Sequence, residues 1–129
     1  MRKKGSNCDF TAERNENLKQ MFKACFLAGN YTNIGEIFGQ MATMPAKRFY
    51  INEQRAYQLL CEKRRTGHWK QSILANKLRM MEEIEKRVDE LMLANPSVSL
   101  VEAVDLVVNQ PAPSLYLTPR SIRTIFYNV

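Results

Sequence analysis

The chain has 129 residues and a mass of 15.0 kDa, with 45% hydrophobic residues, 25% charged residues and a formal net charge of +6. This length accommodates one domain or two very small ones, and it excludes a barrel or a doubly wound sheet with its helices. No apolar run approaches the roughly 20 residues that span a membrane, and the basic start Met1–Asn7 lacks the apolar stretch of a signal peptide. Three widely spaced cysteines fit free thiols in a reducing compartment, so we expect a cytoplasmic protein.

The first half of the chain has the apolar periodicity of three helices, with capping and stop residues at their ends. These helices are predicted at about residues 12–28, 34–43 and 53–65. Thr11, Asn33 and Asn52 are the expected N-caps, and Gly29 and Pro45 are expected to end the first two helices. An apolar, aromatic stretch at residues 49–51 is predicted to be extended.

The second half has the same succession of signals. Helical phase begins as early as Lys70 and continues for about 25 residues. Ser99 is the expected N-cap of the next helix. A second extended stretch at residues 115–117 leads into Thr118-Pro119, a cap followed by proline at the first helical position, which starts a helix that runs to about Tyr127.

The two halves align without a gap at an offset of 66 residues. Pro45–Asn52 aligns with Pro111–Thr118, and both segments share the pattern Pro-Ala-x-x-apolar-Tyr-apolar-Asn/Thr. Elsewhere strict identities are few, although the apolar phase agrees throughout. The shared segment favours two copies of one unit over the alternative that any two amphipathic helical stretches can be phased to match.

These patterns predict an all-α fold made of two tandem copies of a three-helix unit. The units span residues 11–66 and 67–129, and a basic, flexible arm of residues 1–10 precedes them. Neither half has room for a large core, so we expect the halves to share one core and to be related by a pseudo-twofold axis. The extended stretches 49–51 and 115–117, which precede the third helix of each unit, could pair as a minimal ribbon.

The positive charge is concentrated in the middle of the chain. Residues 47–79 hold nine basic side chains and two acids, for a net charge of +7, whereas residues 82–105 have a net charge of −5. A basic surface attracts polyanions, chiefly nucleic acid. The alternative is that the two stretches are solvated faces that partly neutralise each other.

The third helix of the first unit carries most of the candidate binding residues. Arg55 and Gln58 are of the types that read guanine and adenine edges in the major groove, and the flanking lysines and arginines could hold phosphates. The full set of candidate nucleic-acid-binding residues is Lys47, Arg48, Arg55, Gln58, Lys63, Arg64, Arg65, Trp69, Lys70, Arg120 and Arg123. A helix, a connector and a second, basic helix follow the logic of a helix-turn-helix, although the connector Met44–Asn52 exceeds that motif's three or four residues.

Trp69 has two interpretations. In a basic stretch it could be a stacking platform for a nucleic-acid base. The alternative, which we favour, is that Trp69 fastens the long fourth helix to the core.

Enzymatic signals are absent from the sequence. The single histidine, His68, has no cysteine or acid at motif spacing, and no Cys-x-x-Cys pair, glycine-rich phosphate loop or nucleophile elbow is present. Cys25 and Cys61 lie in apolar helical phase and fit the core. We therefore expect no enzyme, no metal or other cofactor, and no small-molecule substrate.

Two functions fit this sequence. The first is a non-enzymatic nucleic-acid-binding protein, regulatory or architectural, whose partner is most simply duplex DNA. The second is a protein-interaction module, in which the acidic stretch 82–105 of one copy meets the basic stretch 47–79 of a second copy or another partner. The first function requires the cations of the third helix to point outward, and ion pairs of Arg55, Arg64 and Arg65 with residues 82–90 would remove the positive surface.

Overall fold

The computed structural model describes the backbone of residues 5–128 and the side chains of residues 11–128. All regular secondary structure in that part of the chain is α-helical, as the sequence predicts. The six helices are α1 (Gly5–Ala28), α2 (Ile34–Ala42), α3 (Glu53–Thr66), α4 (Ala75–Ala94), α5 (Leu100–Val108) and α6 (Pro119–Tyr127).

The predicted caps determine where four of the helices start. Asn33, Asn52, Ser99 and Thr118 each accept a hydrogen bond from a backbone N–H of the first helical turn, which satisfies donors that have no partner within the helix. Gly29 has a φ of 75°, in the left-handed region where glycine carries no steric cost, and α1 ends there.

Two predicted starts are wrong. Helix α1 begins at Gly5 rather than Ala12, so Thr11 lies inside the helix and does not act as its N-cap. Residues 1–4 of the predicted arm lie outside the described residues. Helix α4 begins at Ala75 rather than Lys70, because Leu74 is extended at φ −75° and ψ 153°. Leu74 occupies the N-cap position, but its side chain cannot accept a hydrogen bond from the helix. The sequence therefore carries no capping signal at this helix start, and the apolar periodicity runs through it.

Ser99 and Glu102 form a reciprocal cap at the start of α5. The Ser99 hydroxyl accepts from the Glu102 N–H at 3.2 Å, and Glu102 Oε1 accepts from the Ser99 N–H at 3.0 Å. Hydrogen bonds from the Ser99 backbone and hydroxyl hold the pKa of Glu102 below its ordinary value. A carboxyl group with a lowered pKa contributes stability above its unfolded-state pKa and loses it as the pH falls through its folded-state pKa.

We expect Ser99→Ala to lower the free energy of unfolding by about 1 kcal/mol, because the Glu102 N–H loses its acceptor. Ser99→Asp keeps an acceptor at the same place and is the matched control, with a smaller loss. Urea denaturation at neutral pH measures both variants. Equal stability of wild type and Ser99→Ala would mean that this cap does not support the helix.

The third helix of each half packs on the first two helices of the other half. Helix α6 contacts α1 and α2, and α3 contacts α4 and α5. In the described part of the chain α2 and α3 do not contact each other, so they do not form the compact helix pair of a helix-turn-helix. The cause is the connector of residues 43–52, which carries α3 across to the other half.

The connector of residues 43–52 meets a second connector, residues 109–118 between α5 and α6, at one isolated antiparallel bridge between Ala46 and Ala112. The Ala46 N–H donates to the Ala112 carbonyl at 2.9 Å, and the Ala112 N–H donates to the Ala46 carbonyl at 3.0 Å. Residues 49–51 and 115–117 do not pair as a ribbon, since the Phe49 N–H donates to the Val108 carbonyl instead. The buried Phe49 thus pairs with the end of α5, and a preference for extended backbone does not predict which partner an extended segment takes.

A single hydrophobic core includes residues of both halves. Its largest fully buried side chains come from the helices and from the first connector, which contributes Phe49. They include Leu18, Phe38, Phe49, Leu60, Met81, Ile84 and Ile122. Shared burial of this kind stabilises two short halves that could not each enclose a core.

Candidate nucleic-acid interface

One side of α3 faces the core and the opposite side faces solvent. Ala56, Leu59 and Leu60 are buried, whereas Arg55 and Gln58 are exposed. Arg65, near the C-terminal end of the helix, is also exposed. At 100° per residue, the three exposed side chains lie within about 80° of the helix circumference, and Arg55 and Arg65 are about 15 Å apart along the axis.

Arg55 and Arg65 form no ion pair with any residue whose side chain the structure describes. Glu62, which lies between them on the helix, is half-buried. Lys47, in the connector before α3, and Lys70, after it, are exposed as well. We call Lys47, Arg55, Arg65 and Lys70 the open cationic set; the neutral Gln58 is exposed beside it on α3.

Lys63 and Arg64 are paired within the chain. Lys63 Nζ lies 2.9 Å from Glu85 Oε1, and Arg64 contacts both Glu85 and Asp89 on α4. Glu85 and Asp89 are four residues apart and therefore share the face of α4 that packs beside α3. Of the three arginines whose pairing would remove the positive surface, only Arg64 is bound to this acidic stretch.

Arg48 joins the two connectors. Its side chain is 12% exposed, and its guanidinium donates to the carbonyls of Phe49 and Ile51 and to Asn109 Oδ1 at 3.1–3.3 Å. A more distant ion pair at 3.9 Å links it to Glu13. These contacts engage the guanidinium inside the protein rather than at a phosphate.

Trp69 is half-buried and packs against the core, which agrees with the interpretation that it fastens the chain before α4. Lys63 Nζ lies 5.5 Å from the centroid of its ring, a cation–π distance. The Trp69 ring therefore contacts the ammonium group of Lys63 and the hydrophobic core.

Arg120 and Arg123 lie apart from the α3 residues. Both are exposed on α6, which does not contact α3 in the described part of the chain. The Arg123 guanidinium lies 6.0 Å from the centroid of the Tyr127 ring on the same helix. These two arginines thus belong to a different surface element.

Lys77 is a residue that the sequence did not single out. Together with Arg55 and Lys70 it lines a small cavity of about 220 Å³ that also contains Ser72 and no acidic side chain. Burial, and next the charges of Arg55 and Lys70, lower the pKa of Lys77. Lys77 is 22 residues from Arg55 in the chain, and only the fold brings the two side chains close together.

A larger cavity of about 540 Å³ adjoins the small one and shares Leu74 and Lys77 with it. Its other walls include Tyr50 and Tyr116. Burial, with the charge of Glu13, raises the pKa of Tyr50 to about 12, so this phenol stays neutral and donates to Asn17 Oδ1 at 2.7 Å. Tyr116 has a φ of 57°, a strained value for a side chain of this size.

Among the described residues, no group of three or more histidine, cysteine, aspartate or glutamate side chains could hold a metal ion. Burial raises the pKa of the Cys25 thiol, which disfavours the thiolate form that attacks and ligates. Within residues 5–128, no helix combines the length and apolarity that crossing a bilayer requires.

No protein-family model, curated protein sequence or solved structure matches the chain. A functional assignment therefore depends on the chemistry of the surface and cavities described above.

Proposed function

We propose that the protein is a non-enzymatic nucleic-acid-binding protein that binds duplex DNA through α3 and the open cationic set. The observation that carries the proposal is the exposure of Arg55, Gln58 and Arg65 on one side of α3 without an ion pair among the described side chains. An α-helix fits the major groove, which is about 12 Å wide, and arginine and glutamine can bind guanine and adenine edges there.

The flanking charges support the same mode of binding. Lys70 lines the same cavity as Arg55, and Lys47 is exposed in the connector that leads into α3, where its backbone N–H is held by Asn17 of α1. We assign both lysines to phosphates while the helix contacts the bases. The neighbouring acids are unequal in effect: Glu85 and Asp89 already neutralise Lys63 and Arg64, and Glu62 is half-buried. On the exposed side of α3 the open cationic set outnumbers Glu62, whose carboxylate forms no ion pair with a described side chain. The balance of charge there is positive, which favours encounter with a polyanion.

A gel-shift assay with mixed duplex and single-stranded probes at low salt tests this proposal. We expect a shift that is stronger with duplex. No shift with either probe would overturn the proposal, and a shift with single strands alone would overturn the major-groove mode.

We expect Glu85→Gln with Asp89→Asn to tighten DNA binding several-fold. The double change releases Lys63 and Arg64 from their carboxylate partners and removes two negative charges next to α3. Because the pairs are partly solvent-exposed, the loss of folding stability should stay within about 1 kcal/mol for each pair. Fluorescence anisotropy with a labelled duplex measures the affinity.

Glu90→Gln with Asp105→Asn is the matched control, since it removes the same charge from exposed positions that form no ion pair with a described side chain. Similar tightening in both double variants would indicate a general charge effect rather than release of these two cations.

We further propose that the fold is a duplicated three-helix unit with a pseudo-twofold axis near the Ala46–Ala112 bridge. In support, equivalent helix ends lie 66 residues apart, and so do the two residues of the bridge. The matching helix ends are Ala28 and Ala94, Ile34 and Leu100, Ala42 and Val108, and Glu53 and Pro119. The helix contacts follow the same twofold relation, since α6 packs on α1 and α2 as α3 packs on α4 and α5.

A second candidate function is self-assembly. A cavity of about 460 Å³ between α3 and α5 is lined by Glu53, Glu102 and Asp105 together with Tyr57 and the exposed Val101. An acidic, partly apolar surface of this kind could receive the open cationic set of a second copy, and such head-to-tail contact builds rings or filaments. Light scattering that rises with protein concentration in the absence of nucleic acid would favour this function over DNA binding.

A further inference from the structure

The two adjoining cavities near the start of α4 have different chemistry. The larger, of about 540 Å³, has aromatic and apolar walls from Tyr50, Tyr116, Leu115 and Met80, with Thr118 and Ser121 at its side. Its volume lies within the roughly 300–1,000 Å³ of ordinary small-molecule sites, which combine apolar walls with a few polar groups. Such walls suit a flat heteroaromatic ring.

The smaller cavity suits an anion. Arg55, Lys70, Lys77 and Ser72 line its wall together with three apolar residues, and no acidic residue is among them. Three neighbouring cationic residues and a serine carry donors that a phosphate group accepts from. Burial, and next the charges of Arg55 and Lys70, lower the pKa of Lys77, and the opposite charge of a bound anion would favour its protonated form.

Lys77 and Leu74 belong to both cavities, so a single ligand can extend from one into the other. We infer that the joined cavities bind one phosphorylated nucleoside, with its base between the tyrosine walls and its phosphate among Arg55, Lys70 and Lys77. This site goes beyond the proposed duplex surface, because neither Gln58 nor Arg65 lines either cavity. Of the open cationic set that we assign to duplex DNA, only Arg55 and Lys70 also line the nucleotide site.

Two kinds of ligand present a nucleoside with a 5′-phosphate. One is a free nucleoside 5′-monophosphate and the other is the 5′-phosphorylated end of a strand. Isothermal titration calorimetry with the four ribonucleoside 5′-monophosphates, adenosine, inorganic phosphate, and trinucleotides with and without a 5′-phosphate distinguishes these two kinds. We expect at least one phosphorylated nucleoside or 5′-phosphorylated trinucleotide to bind at least tenfold more tightly than adenosine and inorganic phosphate.

Two variants test the position of the site. Lys77→Met removes the shared cation while keeping an unbranched side chain, and we expect it to weaken nucleotide binding at least tenfold. Leu74→Asp puts a negative charge between the cavities at an uncapped helix start, where aspartate is a preferred N-cap. This second variant should therefore fold at least as well as wild type and still lose the ligand.

Arg65→Ala is the control, since it should weaken duplex DNA binding and leave nucleotide binding unchanged. Failure of wild type to bind any phosphorylated probe at millimolar concentration would overturn the inference, even if duplex DNA still binds. Unchanged nucleotide affinity in both Lys77→Met and Leu74→Asp would overturn it as well. Binding of inorganic phosphate as tightly as the nucleotides would overturn the role of the larger cavity.

Discussion

Phe49→Ala is expected to lower the free energy of unfolding by about 3–5 kcal/mol, a large share of the stability of a small domain. Phe49 is fully buried in the connector between α2 and α3, and its N–H donates to the Val108 carbonyl of the other half. Its ring stacks with Tyr116, with 6.2 Å between centroids, and the Arg87 guanidinium lies 5.0 Å from its centre. Truncation removes contacts that join the two halves and leaves a cavity.

Urea denaturation followed by circular dichroism measures this effect. Leu93→Ala, at a position that is 84% exposed, is the control and should change stability by no more than about 0.5 kcal/mol. If Phe49→Ala does not fold, Ile84→Val offers a smaller test in the same core, with an expected loss of about 0.5–1.5 kcal/mol. Wild-type stability of Phe49→Ala would contradict a core shared between the halves.

Arg55→Ala combined with Arg65→Ala is expected to abolish the gel shift of duplex DNA at low salt. Both side chains are exposed and lie at opposite ends of the same side of α3, so their loss removes most of the charge that α3 presents. The helical circular-dichroism signal should not change, since neither side chain forms an ion pair with a described residue. Anisotropy with a labelled duplex extends the measurement to weak binding.

Arg120→Ala with Arg123→Ala is the matched control for charge. It removes two exposed arginines from α6, which does not contact α3, and we expect a much smaller loss of affinity. An equal loss in the two double variants would mean that binding depends on net charge and not on α3.

Local signals predicted the helices well. Asn33, Asn52, Ser99 and Thr118 act as caps because a side-chain oxygen needs only the next two or three N–H groups as partners. The start of α4 could not be predicted in this way, because Leu74 carries no capping group. The same holds for the bridge, whose partners Ala46 and Ala112 are far apart in the chain.

The candidate site depends on distant neighbours, and sequence reasoning reached only part of it. The outward direction of Arg55 and Gln58 follows from helical phase alone. The pairing of Lys63 with Glu85 depends on how α3 packs beside α4, and the nearness of Lys77 to Arg55 depends on the same packing. The two residues of each pair are 22 positions apart in the chain, and the apolar periodicity of single helices carries no information on such contacts.

The salt dependence of wild-type binding to duplex DNA tests DNA recognition by α3 most directly. Each phosphate that a cation neutralises adds about −0.9 to the slope of log K against log salt. With Lys47, Arg65 and Lys70 on phosphates and Arg55 on a base, anisotropy titrations at a series of salt concentrations should give a slope of about −2 to −3. A slope near zero, or no binding at low salt, would contradict the proposed function.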